Sequence, residues 1–431
     1  MALSLVVPAC PLLYEILVIL DGTVNAPGVP GPRRSAITYR FNRLELAGAL
    51  GNLGTILPIA IALISVNRLD PQGVFLGLGL YTILAGLYFG ITTPVEPMKV
   101  ISAYAIARML PPEQVLAAGL LMGGVLLVIG VSGAMGRLAR YVPKPAIRGV
   151  QLSTGALLMS QGARFIVGNS TLQAKAGLAE PFLTVQSLGP VPLNWLLGGL
   201  AFAGAMLLIS SRRMPAGLVV VLAGVLVGVF LGQGLDAGAL GLHLPQILPF
   251  AVPDWAVLGT AGAMLVLPQL PMTLGNAIIA NADLAREYFG EEAGRTTHKA
   301  LCVSMGLANV AAFCLGGMAM CHGAGGLAAH YRFGARTATA NLMLGTIFLV
   351  LALFLGESVL DAARLIPLSV LGVLLLFAGT QLALTIGDMK ERRDLFVPLL
   401  ILGVTLATNL ALGFGVGLVV CWLLKSERFA V

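Results

Sequence analysis

Charge is scarce in this chain. Asp, Glu, Lys and Arg make up 10% of its 431 residues, against about 25% in ordinary soluble domains. That deficit excludes a soluble enzyme, a disordered protein and a nucleic-acid binder. Cysteine is also rare: five residues with no CxxC pair and no regular spacing give neither a disulfide framework nor a zinc site. No HExxH motif, intramembrane Ser/His pair or paired aspartates mark an enzyme, and no cofactor or metal is implied. The first twenty residues are apolar but carry Glu15 and lack the basic leader of a signal peptide. What is abundant is apolar surface, 58% of residues with a mean hydropathy of +0.93. Glycine reaches 54 residues, roughly twice ordinary usage, which suits helices that pack closely in lipid. The expectation is an all-α polytopic membrane protein whose solvent is the lipid bilayer.

A span needs about 20 mostly apolar residues. Cutting the chain at its charges and prolines gives fourteen segments: 44–66, 71–91, 97–109, 112–134, 145–167, 192–210, 215–233, 257–282, 297–316, 322–332, 337–356, 364–386, 394–409 and 411–425. Two of them, 97–109 and 322–332, are too short to span alone. The uncharged run from Leu395 to Leu424 is too long for one helix, and Asn409 with Gly413 offers a turn. With the N-terminus in the cytoplasm and every segment crossing once, 20 of the 26 basic residues fall on inner loops. Five fall outside and Lys99 is left within the membrane. Basic short loops mark the cytoplasmic side, so both termini are expected there, in a multi-pass protein of the inner membrane. The net charge of +7 is thus a topology signal. Residues 1–43 form an N-terminal extension to which no role is assigned.

The two halves echo each other. Pro145 and Pro367 each open a long segment, 222 residues apart, and Pro94 and Cys321, each just before a short segment, stand 227 apart. Seven segments separate the pairs, and an odd number inverts the second half in the membrane. The expected organisation is therefore a first seven-segment repeat over 44–233 and a second, inverted one over 257–425. Short, interrupted segments at matching positions of inverted repeats point to a secondary transporter's site. A helix starting in mid-membrane exposes unpaired N–H groups and the positive end of its dipole, which together attract an anion.

Lys99 stands in the first turn of the first short helix. An ammonium at that depth costs a few kcal/mol and adds unfavourably to the dipole. Either an anion binds beside it, or Glu96 three residues earlier neutralises it, or it snorkels to an interface. Glu96 either pairs with Lys99 or takes up a proton, because burial favours the neutral carboxyl, and so couples transport to H+. Cys321, His322 and Gly323 open the second short helix. The glycine lets a ligand approach the backbone. His322 either hydrogen-bonds a ligand or is satisfied by a carbonyl in the crossing region. Met318, Met320, Cys314 and Cys321 read as packing residues rather than a soft-metal path. In the eighth segment Pro268 and Pro271 free carbonyls and bend the helix. Gln269, Thr273 and Asn276 share one face and read as a cavity wall. In the first segment Asn52 and Thr55 again share a face, beside glycines that permit close packing.

Gly51-Asn52-Leu53-Gly54-Thr55, Pro94-Val95-Glu96-Pro97-Met98-Lys99, Leu267-Pro268-Gln269-Leu270-Pro271 and Cys321-His322-Gly323-Ala324-Gly325-Gly326, with Tyr331-Arg332-Phe333-Gly334-Ala335-Arg336-Thr337, resemble the molybdate-transporter branch of the sulfate permease superfamily. The resemblance spans residues 44 to 425. It implies the fold shared with uracil and xanthine permeases: fourteen segments in two inverted sevens, divided into core and gate domains, with half-helices meeting at mid-membrane. It also implies a homodimer and a tetrahedral oxyanion substrate, molybdate first, sulfate or tungstate second. The family usually has an acid at the position of Asn52 and a glutamine at that of Glu96, so a carboxylate has moved from the first helix to the mouth of the third. The cytosolic regulatory domain that usually ends sulfate permeases is not expected, since few residues follow Leu424.

The function expected is secondary transport of the oxyanion by alternating access. Lys99 and the half-helix N-termini from Met98 and His322 would hold the anion, and Gln269, Thr273 and Asn276 would line the cavity. A nucleobase permease on the same fold is the alternative, though the carboxylates it wants on the eighth and tenth segments are missing. An anion channel is the other.

Overall fold

The computed structural model describes residues 38–424 apart from 136–137, 139–142, 212–213, 233–240 and 356–357. Most of the N-terminal extension therefore lies outside the described residues. So do Arg33, Arg34, Arg137, Arg140, Arg212, Arg213, Lys425 and Arg428 among the basic residues assigned to inner loops.

The described chain is helical almost throughout. In order come α1 (Arg43–Gly51), α2 (Leu53–Asn67), α3 (Pro71–Phe89), α4 (Lys99–Arg108), α5 (Pro112–Ser132), α6 (Lys144–Val167), α7 (Leu193–Leu208), α8 (Ala216–Leu231), α9 (Trp255–Arg295), α10 (His298–Cys314), α11 (Ala324–Phe333), α12 (Thr339–Leu355), α13 (Leu368–Ala383), α14 (Arg392–Ala407) and α15 (Leu410–Leu423). Every apolar segment read from the sequence coincides with helix. Among the described residues, four helices are long and apolar enough to cross a bilayer: Pro71–Phe89, Pro112–Ser132, Trp255–Arg295 and Leu368–Asp388. The bent pair α1–α2 makes a fifth.

The helix boundaries follow local chemistry. Asp70 caps α3 by accepting the N–H groups of Gln72 and Gly73, Pro71 fills the first position, and Gly90 ends the helix at φ 76°. Such an ending suits glycine, which has no Cβ to clash. The turn expected at Asn409 is there, its side chain accepting from Leu412 N–H to start α15. Two boundaries differ from expectation. The single helix 44–66 is broken at Asn52, where α1 and α2 meet at 46°. Gly48 and Gly51 on α1 lie against Ala335 and Phe333, so α1 follows the end of α11 while α2 turns into the bundle. The eighth helix is continuous over Trp255–Arg295 but changes register in two π-helical stretches, Gly262–Val266 and Thr273–Ala280, on either side of Pro268 and Pro271. Proline's missing N–H removes the usual i→i−4 bond and favours such a register change.

Packing pairs distant segments. α3 runs along α12, α5 along α10 and α6 along α13. Moving each member by seven segments turns the α3·α12 pair into the α10·α5 pair and maps α6·α13 onto itself. Glycines at the crossings match as well: Gly79 meets Gly345, and Gly123 meets Gly306. Gly306 follows Gly79 by 227 residues and Gly345 follows Gly123 by 222, the two offsets read from the sequence. Where α6 crosses α13, a Cβ on Gly155 would stand 2.5 Å from the Gly379 carbonyl oxygen and one on Gly162 would strike that of Gly372. The backbones touch because no side chain separates them.

Gly162→Val is therefore expected to lower the thermal unfolding midpoint in detergent by several degrees, since overpacking costs about 1–3 kcal/mol. Gly199→Ala on α7, where a Cβ meets open space, is expected to leave the midpoint unchanged or raise it slightly.

Candidate substrate site at the crossing of two broken helices

Pro94 and Pro97 bar a regular helix before Lys99, and the glycines of 316–326 weaken one before Ala324. Each stretch runs extended into its half-helix. Glu96–Pro97 pairs antiparallel with Met320–Cys321, Glu96 opposite Cys321 and Pro97 opposite Met320. Met98 N–H donates to the Ala319 carbonyl at 2.9 Å. Irregular backbone inside an apolar bundle must find its partners in the protein, and here polar side chains supply them. Asn309 donates to the carbonyls of Met305 and Met320 and accepts Met320 N–H at 2.8 Å. Asn341 accepts Thr93 N–H at 2.9 Å and donates to the carbonyls of Thr82 and Thr93. Sequence reasoning missed both asparagines; their only signal was an amide in an otherwise apolar helix.

His322 belongs to the same support. It is fully buried. Its Nδ1 donates to the Pro94 carbonyl at 3.0 Å, which can only accept. Its Nε2 faces the hydroxyls of Tyr81 at 2.7 Å and Ser304 at 3.1 Å. It therefore stitches the two broken segments together and has no free edge for a ligand.

The two half-helix N-termini differ. At α4 the side-chain oxygen of Gln269 accepts the N–H groups of Val100 at 2.9 Å and Ile101 at 3.2 Å. Its amide donates to the Thr273 hydroxyl at 2.9 Å. Gln269 and Thr273 are both buried, Gln269 against the start of α4, and neither they nor Asn276 is among the residues that line the cavity beside the α11 N-terminus. An oxygen acceptor on the eighth helix closes the donors that an anion would otherwise use. At α11, by contrast, Gly323 precedes the helix and no side chain caps it among the described residues.

Beside the α11 N-terminus lies a cavity of about 360 Å³. Asn52, Thr55, Glu96, Lys99, Gly325 and Arg332 line one side, and residues of α7, α8 and α13, including Leu208, Gly217, Phe377 and Gln381, line the other. It runs from the buried Glu96 out to exposed Arg332 and Gln381. Lys99 Nζ stands 3.0 Å from Glu96 Oε2. Asn52 is 2% exposed, and among the described residues its Nδ2 has no acceptor. Of the ten site residues read from the sequence, Asn52, Glu96 and Lys99 meet in the cavity. Met98, Cys321, His322 and Gly323 lie in the crossing behind it. The wall from α7 and α13 is apolar apart from Gln381 and carries no charge by which sequence alone could assign it.

Gln269→Leu is expected to destabilise the protein by about 1–3 kcal/mol, the cost of leaving buried N–H groups unpaired. Thermal unfolding in detergent, compared with Asn276→Leu, reads it; equal midpoints for Gln269→Leu and the parent would contradict the cap.

Comparison with known proteins now bears on the geometry. A family described as "Molybdate transporter of MFS superfamily" matches residues 44–158 and 261–382. Molybdate transporter 2 of Arabidopsis thaliana is 34% identical, covering 94% of this chain and 93% of its own. Molybdate transporter 1 of Chlamydomonas reinhardtii is 31% identical over 87% and 90%. Among solved structures, the murine anion transporter Slc26a9 in its inward-facing state superposes with a TM-score of 0.66 at 14% identity, covering 96% of this chain and 72% of that one. The transmembrane domain of the cyanobacterial bicarbonate transporter BicA gives 0.59 at 18%, covering 89% and 98%. The fold is the one these two share. The protein is thus a multi-pass membrane transporter rather than an enzyme, and it belongs to the molybdate transporter family.

Proposed function

We propose that this protein is a secondary transporter of a tetrahedral oxyanion, molybdate first, with sulfate or tungstate as the related cargo. The observation that carries the reading is a partly buried ammonium and an unpartnered amide, Lys99 and Asn52, facing one cavity at an uncapped half-helix N-terminus. A dianion needs such a set: a charge, a directed donor and a dipole end. The relatives named above carry molybdate by name, and the structural neighbours are named for bicarbonate and for anions. A cavity of about 360 Å³ holds a small oxyanion with some of its water, each water taking ~30 Å³.

In this reading the segments form fourteen crossings in two inverted sevens, 44–233 and 257–425, with both termini in the cytoplasm of an inner-membrane protein. The exchange of helix pairs under a shift of seven supports the repeat. The core would comprise the broken helices and their supports. The gate would comprise α7, α8 and α13, which wall the other side of the cavity and supply the contact of a homodimer. Rocking of gate against core would expose the site alternately to the two sides. No observation favours the nucleobase reading: the carboxylate in the cavity comes from the third segment and is already paired with a lysine.

Uptake of labelled molybdate into proteoliposomes, competed with sulfate, tungstate and uracil, tests the assignment; competition by uracil alone would overturn it. Lys99→Ala is expected to weaken molybdate binding at least ten- to hundredfold while the purified protein stays folded. A hydrogen bond to a charged group contributes about 1.5–3 kcal/mol. Lys99→Arg is expected to bind weakly, a planar fork replacing a compact ammonium. For topology, a cysteine placed at Asp254 is expected to react with an impermeant thiol reagent from outside, and one at Arg392 is not. Labelling of Arg392→Cys from outside would break the count of fourteen.

A further inference from the structure

The cavity already holds an anion of its own. Glu96 is 1% exposed, and its carboxylate lies on the first turn of α11 rather than beside its own helix alone. A Cβ on Gly323 would strike Glu96 Oε2, and one on Gly326 would stand 2.6 Å from Oε1 and 2.7 Å from Asn52 Nδ2. Glycine at both positions is what lets the carboxylate settle there. Lys99 Nζ meets the same carboxylate at 3.0 Å and stands within 3.9 Å of where a Cβ on Gly325 would be. The carboxylate thus takes up the lysine, the uncapped helix end and the neighbourhood of the unpaired amide, the same groups a substrate oxyanion would use.

We propose that Glu96 is a tethered counter-anion that competes with the substrate, and that an oxyanion binds only together with a proton that neutralises Glu96. This rests on the oxyanion reading of the site and adds its coupling residue. The step is a simple protonation: the carboxylate takes one proton from solvent, Lys99 remains an ammonium, and the ammonium turns from Glu96 to the incoming dianion. Without the proton, three negative charges would share one lysine around the buried Glu96, which Coulomb repulsion disfavours. The other ionisable groups acting on Glu96 are few. Cys321 stands opposite it on the paired strand, with His322 next to it and His330 on α11. Arg332 lines the far end of the cavity. His322 is engaged at both ring nitrogens, through Pro94, Tyr81 and Ser304, whereas His330 is held at Nδ1 by the Thr92 hydroxyl at 2.7 Å and its Nε2 has no partner among the described residues. The walls from α7 and α13 present no charge to the cavity. Of these groups Glu96 alone both meets Lys99 and lines the cavity, which makes it the group placed to accept the proton.

The test is molybdate affinity from about pH 6 to about pH 8.5 in the full-length wild type and in Glu96→Gln, with sulfate as a ligand that does not itself titrate there. One linked proton makes affinity fall by about tenfold per pH unit on the alkaline limb. The wild type is expected to show that slope, and Glu96→Gln to lose it and bind more tightly than wild type at the alkaline end. A second measurement needs no variant: binding in weakly buffered solution is expected to take up close to one proton per oxyanion in wild type. Parallel pH profiles in the two proteins, or binding without proton uptake, would overturn the inference while leaving the oxyanion site standing. Absence of binding by either protein at every pH would overturn the oxyanion reading and this inference with it.

Discussion

Unpaired backbone in the middle of an apolar bundle is the constraint on which the rest of this molecule depends. A transport site needs free N–H groups and a helix end at depth, yet each unsatisfied polar group there costs several kcal/mol. The solution is to break two helices at one level and let each satisfy the other. Glu96–Pro97 and Met320–Cys321 pair as strands, Met98 reaches Ala319, and His322 reaches Pro94. Asn309 and Asn341 close what is left. The long glycine-rich helices around the crossing, α3 with α12 and α5 with α10, hold these asparagines where the broken strands need them.

The second consequence is asymmetry. The two half-helices meet at one crossing but differ in chemistry, because Gln269 closes the N-terminus of α4 and no side chain among the described residues caps α11. The site is drawn to one side, where a lysine from the first half-helix reaches over the start of the second. Positive potential from two elements is thereby collected in one cavity rather than shared between two. Glycine at 323, 325 and 326 keeps that cavity open to groups from the facing segment.

Much of the candidate site was legible because its residues lie close in sequence. Glu96 and Lys99 are three apart, and Asn52 sits in a glycine-rich stretch that marks close approach. The role of His322 was open between ligand and scaffold, since a histidine in an apolar stretch reads the same either way. Its three hydrogen bonds come from Pro94, Tyr81 and Ser304, on three other parts of the chain. Gln269 read as a cavity wall for a related reason. Its face on the eighth helix was correct, but which neighbour that face meets depends on packing that no local pattern encodes.

By itself the sequence determined where helices lie, since apolar runs about as long as a bilayer is thick, cut by proline, glycine and charge, leave lipid no other option. It showed too that two segments are too short to span alone and that a lysine sits at the start of one. Only the tertiary structure decided which half-helix end stays open, that α1 and α2 part at Asn52, and that an apolar wall from α7 and α13 completes the cavity. Those outcomes turn on contacts between residues more than a hundred positions apart, such as Gln269 with Val100 and Glu45 with Thr337. Hydropathy is a property of one segment, whereas capping and closure belong to pairs of segments, and pairs exist only once the chain has folded.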